Sequence, residues 1–225
     1  MTVPAPARAF RAPLFDWFFL LAVAAVGGTL VRILAFTPFE ASQGAAQKIY
    51  YIHVPAALSA YLALGILAVA SVMFLWLRDP RADRLAVSAA EVGLLFTTLV
   101  ITTGPLWAKP IWGTWWSWDM RLNLTMFLWF LTAAYLVLRG AIDDEAMRAR
   151  FSAVLGVLAA LLIPFIHLSV YLFRTMHPEP IVLQPGRPRL PAEMLTTWSM
   201  GVLAFAFLCI ALIRARYRLP DGRDA

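Results

Sequence analysis

Long apolar runs separated by short polar connections dominate the chain. A window of about 20 residues, the length a helix needs to cross about 30 Å of hydrocarbon, finds six candidate membrane helices. They lie near residues 14–36, 52–77, 86–108, 120–139, 151–173 and 196–214. The pattern predicts an all-α integral membrane protein, with residues 1–225 forming a single six-helix membrane domain.

Composition supports this prediction, because 61% of the residues are hydrophobic, 14% are charged and the mean hydropathy is +0.73. A globular core of this chain length cannot hide so much apolar surface, so lipid is its main solvent. The first run follows Arg8 and Arg11, as in a signal peptide. It is longer than the h-region of about 7–15 residues that such a peptide carries, which predicts a retained helix.

The positive charges alternate between connections and predict the orientation of the helices. Twelve of the nineteen lysines and arginines fall in the N-terminal segment, in the connections after the second and fourth spans, and in the C-terminal segment. By the positive-inside rule these parts, and with them both termini, are cytoplasmic. Three connections then face outward: 37–51, 109–119 and 174–195, the last with five prolines that argue against regular structure. The net charge of +6 therefore reflects topology and does not indicate nucleic-acid binding.

Two absences limit the chemistry. The single cysteine, Cys209, excludes an internal disulfide, a Cys-x-x-Cys-His haem attachment site and a cysteine-ligated metal cluster. The chain also has no Gly-x-x-x-x-Gly-Lys-Ser/Thr loop, so it carries no ATPase site of that kind and a partner must supply any energy from ATP. No catalytic residue is predicted.

Five of the nine tryptophans lie within twelve residues, between Trp107 and Trp118. Tryptophan collects at membrane interfaces in helical membrane proteins, and an interfacial belt is the alternative explanation. So many large flat side chains in one short outward connection, shaped by Pro110 and Gly113, instead favour a surface that holds a flat ligand.

Two of the three histidines lie on the same predicted face, His53 at the start of the second span and His177 after the fifth. Neutral imidazole is a common axial ligand of haem iron, and two imidazoles can bind from opposite faces of the ring. A single histidine of this kind more often makes a structural hydrogen bond, and Asp119 is an alternative partner for Arg121. Taken together, the pattern predicts a bis-histidine haem site. Its other contacts would be Trp112, Trp115, Trp116 and Trp118 for the macrocycle, and Lys109, Arg121 and Arg174 for the propionates.

Other ionisable residues within the spans favour structural roles. His167 lies ten residues before His177, and a continuous helix would place it about 15 Å deeper. With Pro164 nearby, a structural or gating role is the preferred interpretation. Glu91 lies within the third span and no partner for it is evident, while Asp16 and Arg32 are near the ends of the first span, within reach of water.

The segment Trp112-Gly-Thr-Trp-Trp-Ser-Trp-Asp-Met-Arg-Leu122 resembles the tryptophan-rich WWD signature of the haem-handling membrane proteins of cytochrome c biogenesis. Within that group, the six spans and the run Tyr51-Ile-His-Val-Pro-Ala-Ala57 are similar to the CcmC family, over about residues 46–215. The resemblance implies that His53 and His177 are the axial ligands of haem b and that Asp119 belongs to the haem-binding signature. The proline-rich segment Pro178–Pro191 departs from the family's more polar loop.

The resemblance also implies a role and partners. The family holds haem at the periplasmic face of the bacterial cytoplasmic membrane and presents it to the periplasmic chaperone CcmE for covalent attachment. It works with the ABC-type ATPase CcmA, its membrane subunit CcmB and the small protein CcmD. Two other functions remain open. One is a b-type cytochrome that transfers electrons, although such proteins favour ligands buried in the bundle; the other is a haem permease subunit, for which no inverted repeat is evident.

Overall fold

A computed structural model describes residues 16–219 and confirms the all-α, six-helix prediction. All six helices are long and apolar enough to cross a membrane. They are α1 (Trp17–Val31, continued by a π-helical turn, Arg32–Phe36), α2 (Tyr50–Leu77, preceded by a 3₁₀ turn, Ala45–Ile49), α3 (Pro80–Trp112), α4 (Met120–Ala141), α5 (Glu145–Leu172) and α6 (Ala192–Arg218). Arg8, Arg11, Arg223 and the first two residues of the first predicted span lie outside the described range.

Aspartate caps set where four of the helices begin. The side chains of Asp16, Asp79, Asp119 and Asp144 each accept a backbone N–H from the first turn of α1, α3, α4 and α5 respectively. A carboxylate at this position satisfies a free donor and complements the positive end of the helix dipole.

The helix bounds differ from the predicted spans most clearly in α3. This helix begins at Pro80 and ends at Trp112, whereas hydropathy alone predicts residues 86–108. Two segments of α3 are helical although the hydropathy window does not include them: the polar first turn after Asp79 and the last turn beyond Ala108. Gly113, with φ of 76°, ends the helix in the left-handed conformation that favours glycine. The first four residues of the predicted 109–119 connection therefore belong to α3.

The central helix α2 packs against α3, α5 and α6, and one glycine in each neighbour permits the close approach. A Cβ atom on Gly93 would lie 2.9 Å from Leu64, and one on Gly156 would lie 2.8 Å from the Ser71 hydroxyl. Small residues at such crossings let helix backbones pack closely in lipid, where the hydrophobic effect does not drive association. Gly201 of α6 likewise permits close packing against the first turns of α2.

The helices around α2 form an open arc. α6 packs on α3, α3 on α4 and α4 on α5, while α1 packs on the other side of α6. α5 and α6 both pack on α2 but make at most marginal contact with each other. The bundle is therefore open along α2 between α5 and α6.

Ion pairs join the helix ends farthest from the tryptophan-rich connection. Arg216 of α6 supplies the partner of Glu91 that the sequence does not reveal, with Nε 2.6 Å from the carboxylate. Arg139 pairs with Asp83 at 2.7 Å and Arg218 with Asp16 at 2.7 Å. These contacts give Glu91 and Asp16 structural roles.

Candidate functional site

Two adjoining cavities lie at the end of the bundle where α2 begins. The first, of about 220 Å³, is bounded by α2, α3 and α4, and the second, of about 580 Å³, by α2, α5, α6 and the segments 39–47 and 177–191. His53, His177 and Arg121 line both cavities. The fold thus brings the two predicted ligands to one place although 123 residues separate them in the sequence.

His53 lies in the first turns of α2 and is buried. Its Nδ1 atom is 2.9 Å from Oγ1 of Thr103, and that hydroxyl donates its own hydrogen to the carbonyl of Leu99 at 2.7 Å. A hydroxyl has one hydrogen, so Thr103 accepts from His53, and Nδ1 carries the imidazole proton. The other ring nitrogen, Nε2, keeps its lone pair for a metal.

His177 reaches the same tautomer by a different contact. It lies in the irregular segment that follows α5, with Nδ1 2.9 Å from the carbonyl oxygen of Pro178. A carbonyl only accepts, so Nδ1 carries the proton and Nε2 is again unprotonated. Burial, together with the positive charge of Arg121, lowers the pKa of His177 from 6.5 to about 4. The imidazoles of His53 and His177 therefore both have an Nε2 lone pair that can bind a metal.

Aromatic side chains form the wall of the first cavity. Trp112, Trp115 and Trp116 line it, and so does Trp107. The indole of Trp107 packs edge-on against His53, with ring centroids 6.0 Å apart, and donates to Gln43 at 3.0 Å. Trp118 does not line either cavity: it is 76% exposed and contacts Trp116 edge-on at 6.2 Å.

Arg121 is the predicted cation that faces the cavities. Its Nη1 atom is buried without a hydrogen-bond partner among residues 16–219, and the same holds for the indole nitrogen of Trp116. Two buried donors that lack acceptors in one cavity fit a ligand that brings its own anionic oxygens, as a haem propionate would.

The remaining predicted contacts lie outside the two cavities. Lys109 is exposed and donates to the Gly113 carbonyl at 2.9 Å, and Arg174 is also exposed. Asp119 accepts from Leu122 and from the Ser117 hydroxyl, so it caps α4 rather than pairing with Arg121.

His167 lines the same cavity as the other two histidines. The α5 helix ends at Leu172, and Phe173 has an extended backbone, so His177 is not one further turn along the same axis. The segment after α5 instead folds across the end of the bundle, and His167 lines the second cavity with His53 and His177. The expected separation of about 15 Å assumed a helix continuous to His177, whereas α5 ends at Leu172.

Several residues of the site were not identified from the sequence. Thr103 fixes the tautomer of His53, Tyr61 lines both cavities, and Gln43 holds Trp107. Thr103 follows another threonine inside an apolar helix, and only the way α3 packs on α2 decides which of the two contacts His53. The only indication in the sequence is that the run Thr102-Thr-Gly-Pro105 places polar residues inside an apolar span.

The site combines an aromatic wall with two imidazoles and the Nη1 atom of Arg121, and among residues 16–219 neither that atom nor either Nε2 makes a hydrogen bond. Such a site suits a flat, anionic, metal-containing ligand. Residues 1–220 match the family described as CcmC, heme exporter protein C. Proteins named heme exporter protein C are similar to this chain. The protein from Haemophilus influenzae is 34% identical over 90% of this chain and 82% of its own length.

Two further relatives carry the same name. The protein from Bradyrhizobium diazoefficiens is 36% identical over 82% of this chain and 70% of its own length. The protein from Escherichia coli is 31% identical over 81% of this chain and 74% of its own length. Because the family match covers nearly the whole sequence, this chain belongs to the CcmC family.

Proposed function

We propose that this protein binds haem between His53 and His177 at the periplasmic face of the bacterial cytoplasmic membrane and presents it to the chaperone CcmE during cytochrome c maturation. The observation that carries the proposal is the pair of imidazoles on one cavity, each with Nδ1 engaged in a hydrogen bond. Its membership in a family described as heme exporter protein C supports the same ligand.

The proposed mechanism is positioning. His53 and His177 bind the iron of haem b, Trp112, Trp115 and Trp116 contact the macrocycle, and Arg121 pairs with a propionate. Haem is the cargo, so the site must hold it firmly without enclosing it. Trp118, exposed beside Trp116, belongs to the rim that a chaperone would approach, and Lys109, Asp119 and Arg174 extend that rim.

The proposed orientation follows from charge. The connections 37–51, 109–119 and 174–195 face the periplasm, and the arginine-rich ends of α2, α4 and α6 face the cytoplasm. The partners are then CcmE on the periplasmic side, and CcmB and CcmD in the membrane. CcmA acts on the cytoplasmic side and supplies the ATP hydrolysis for which this chain has no P-loop.

Co-expression with the chaperone tests presentation directly. Covalently bound haem on CcmE is measured by haem staining of denatured samples, for the wild type and for His53→Ala and His177→Ala. Both variants should abolish or strongly reduce the signal, and the purified variants should lose the six-coordinate low-spin spectrum. His167→Ala is the matched control for the purified spectrum, which it should leave unchanged. An unaltered spectrum in both ligand variants would refute the ligand assignment, and haem retained without transfer to CcmE would indicate a b-type cytochrome.

A further inference from the structure

The second cavity lies along α2 where α5 and α6 leave that helix uncovered, and Trp107 of the tryptophan wall also lines it. Its floor is α2 and its two sides are α5 and α6, the two helices that leave α2 uncovered between them. The lining residues include Leu58 of α2, His167 of α5 and Trp198 of α6. The segment after α5 covers the outer end, since its residues 177–183 line the same cavity.

Among residues 16–219, neither ring nitrogen of His167 makes a hydrogen bond, and the imidazole lies beside the Tyr171 ring, at 6.1 Å between centroids. The side chain is exposed, although it lies five residues before the end of a membrane-spanning helix. An ionisable side chain on the outer surface of a membrane-spanning helix is a candidate for binding a ligand.

Two other polar atoms of this cavity also lack partners. The indole nitrogen of Trp198, a residue only 8% exposed, has no acceptor among the described residues. The amide oxygen of Gln47, a residue 4% exposed, has no donor among residues 16–219, although its amide nitrogen donates to Tyr51. A purely apolar crevice filled by acyl chains would not leave such groups unsatisfied.

We propose that the opening between α5 and α6 is the route by which haem enters the site from the membrane, with His167 as a transient ligand of the iron. This proposal rests on the proposed function. Haem partitions into bilayers because its macrocycle is apolar, so it reaches a lateral opening at high local concentration. His167 binds the iron first on one face, with water or chloride on the other, and ligand exchange then passes the iron to His53 and His177, which line the same cavity. One of these imidazoles replaces His167 and the other replaces the water or chloride, so the coordination number and the oxidation state of the iron stay the same.

Arg121 lies on the proposed route, because this residue lines both cavities. A propionate can contact the guanidinium from the lateral cavity before the macrocycle reaches the tryptophan wall. The order of contacts is then His167, Arg121 and finally the bis-histidine pair.

Loading kinetics test the route. Haem-free protein in proteoliposomes is mixed with haemin, which partitions into the bilayer, and formation of the six-coordinate Soret band is followed by stopped-flow absorption. His167→Ala should slow this rate about tenfold, equivalent to a barrier higher by about 1.4 kcal/mol, while the final spectrum stays the same. Phe165→Ala, an exposed residue of the same helix that lines neither cavity, should load at the wild-type rate.

A second pair of variants tests the opening itself. Leu58→Trp narrows the lateral cavity and should slow loading, whereas Leu62→Trp, one turn further along α2 and exposed outside both cavities, should not. Wild-type rates in both His167→Ala and Leu58→Trp would overturn the proposal. Loss of the final six-coordinate spectrum in His167→Ala would also overturn it, because His167 would then be an equilibrium ligand. A wild-type protein that never forms a six-coordinate spectrum would instead refute the proposed function.

Discussion

Oγ1 of Thr103 lies 2.9 Å from Nδ1 of His53 and decides which nitrogen of that imidazole is free. The hydroxyl donates its hydrogen to the Leu99 carbonyl, so it accepts the N–H of Nδ1. The lone pair of Nε2 is then available to bind a metal. A contact between α2 and α3 therefore sets the chemistry of a residue on α2. Partners of this kind orient metal-binding histidines and increase their basicity.

Replacing Thr103 with valine should weaken haem binding without abolishing it. Valine keeps the shape but cannot accept the N–H, so His53 loses its fixed tautomer, and we expect affinity to fall about 10–100-fold. Haemin titration of the purified protein measures this effect. Thr103→Ser should retain wild-type affinity, and Thr102→Val serves as the control because its hydroxyl bonds only to the Thr98 carbonyl. Equal affinity for Thr103→Val and the wild type would show that the contact does not orient the ligand.

Replacing Arg121 with glutamine should weaken haem binding through the propionates. A hydrogen bond to a charged group contributes about 1.5–3 kcal/mol, so the dissociation constant should rise about 10–100-fold. Haem dimethyl ester, which lacks the carboxylates, should bind Arg121→Gln and the wild type almost equally. Arg174→Gln, at an exposed position outside both cavities, is the matched control. If the ester and the free acid respond equally to Arg121→Gln, the arginine does not contact a propionate.

The main features of the site could be predicted because they are local in the sequence. The tryptophans form one run, and His53 and His177 each lie at a predicted end of a span. The charge distribution then assigns these parts to a single face. Contacts between helices could not be predicted in the same way, since they depend on how each helix is rotated about its axis. The pairs Glu91–Arg216 and His53–Thr103 are both of this kind.

The position of His167 shows a second limit. The hydropathy pattern predicts that the fifth span ends at residue 173, and the helix ends at Leu172, so the span is predicted to within one residue. The pattern does not show that the proline-rich segment beyond it packs over the start of α2, where His167 and His177 line one cavity. Where a chain reverses is set by the packing of the segment that follows, and hydropathy does not report it.

The low pKa of His177 predicts a specific pH response. The unfolded chain protonates this imidazole near pH 6.5 and the folded chain only near pH 4. Its contribution to folded-state stability is therefore complete above about pH 6.5 and is lost as the pH falls toward 4. Nuclear magnetic resonance of labelled histidines, assigned with His177→Gln, should give a midpoint near 4 in the haem-free protein.

Arg121 accounts for part of that shift, so Arg121→Gln should move the His177 midpoint upward toward 6.5. Arg174→Gln should leave it unchanged, because Arg174 does not contribute to the shift although it lies only three residues away. A midpoint near 6.5 in the wild type would mean that the imidazole is exposed to water and is not held in the cavity.

Gly201 offers a test of how closely α6 must approach α2. A Cβ atom there would lie 3.1 Å from the backbone oxygen of Tyr51 and 3.1 Å from Pro55, on the turn of α2 that carries His53. Backbone cannot move aside as a side chain can, so Gly201→Ala should destabilise the bundle by about 1–3 kcal/mol. The apparent melting temperature in detergent should fall, and haem affinity should fall with it because the turn that carries His53 shifts.

Gly65→Ala is the control, since a Cβ atom there meets nothing within 4 Å. Alanine is favoured over glycine inside a helix by about 1 kcal/mol, so this variant should be as stable as the wild type or more stable. If Gly201→Ala lowers the melting temperature and Gly65→Ala raises it, the effect of packing is separated from the effect of helix propensity. A melting temperature for Gly201→Ala equal to that of Gly65→Ala would mean that α6 can move away from α2 without cost, and the turn that carries His53 would then not depend on this contact.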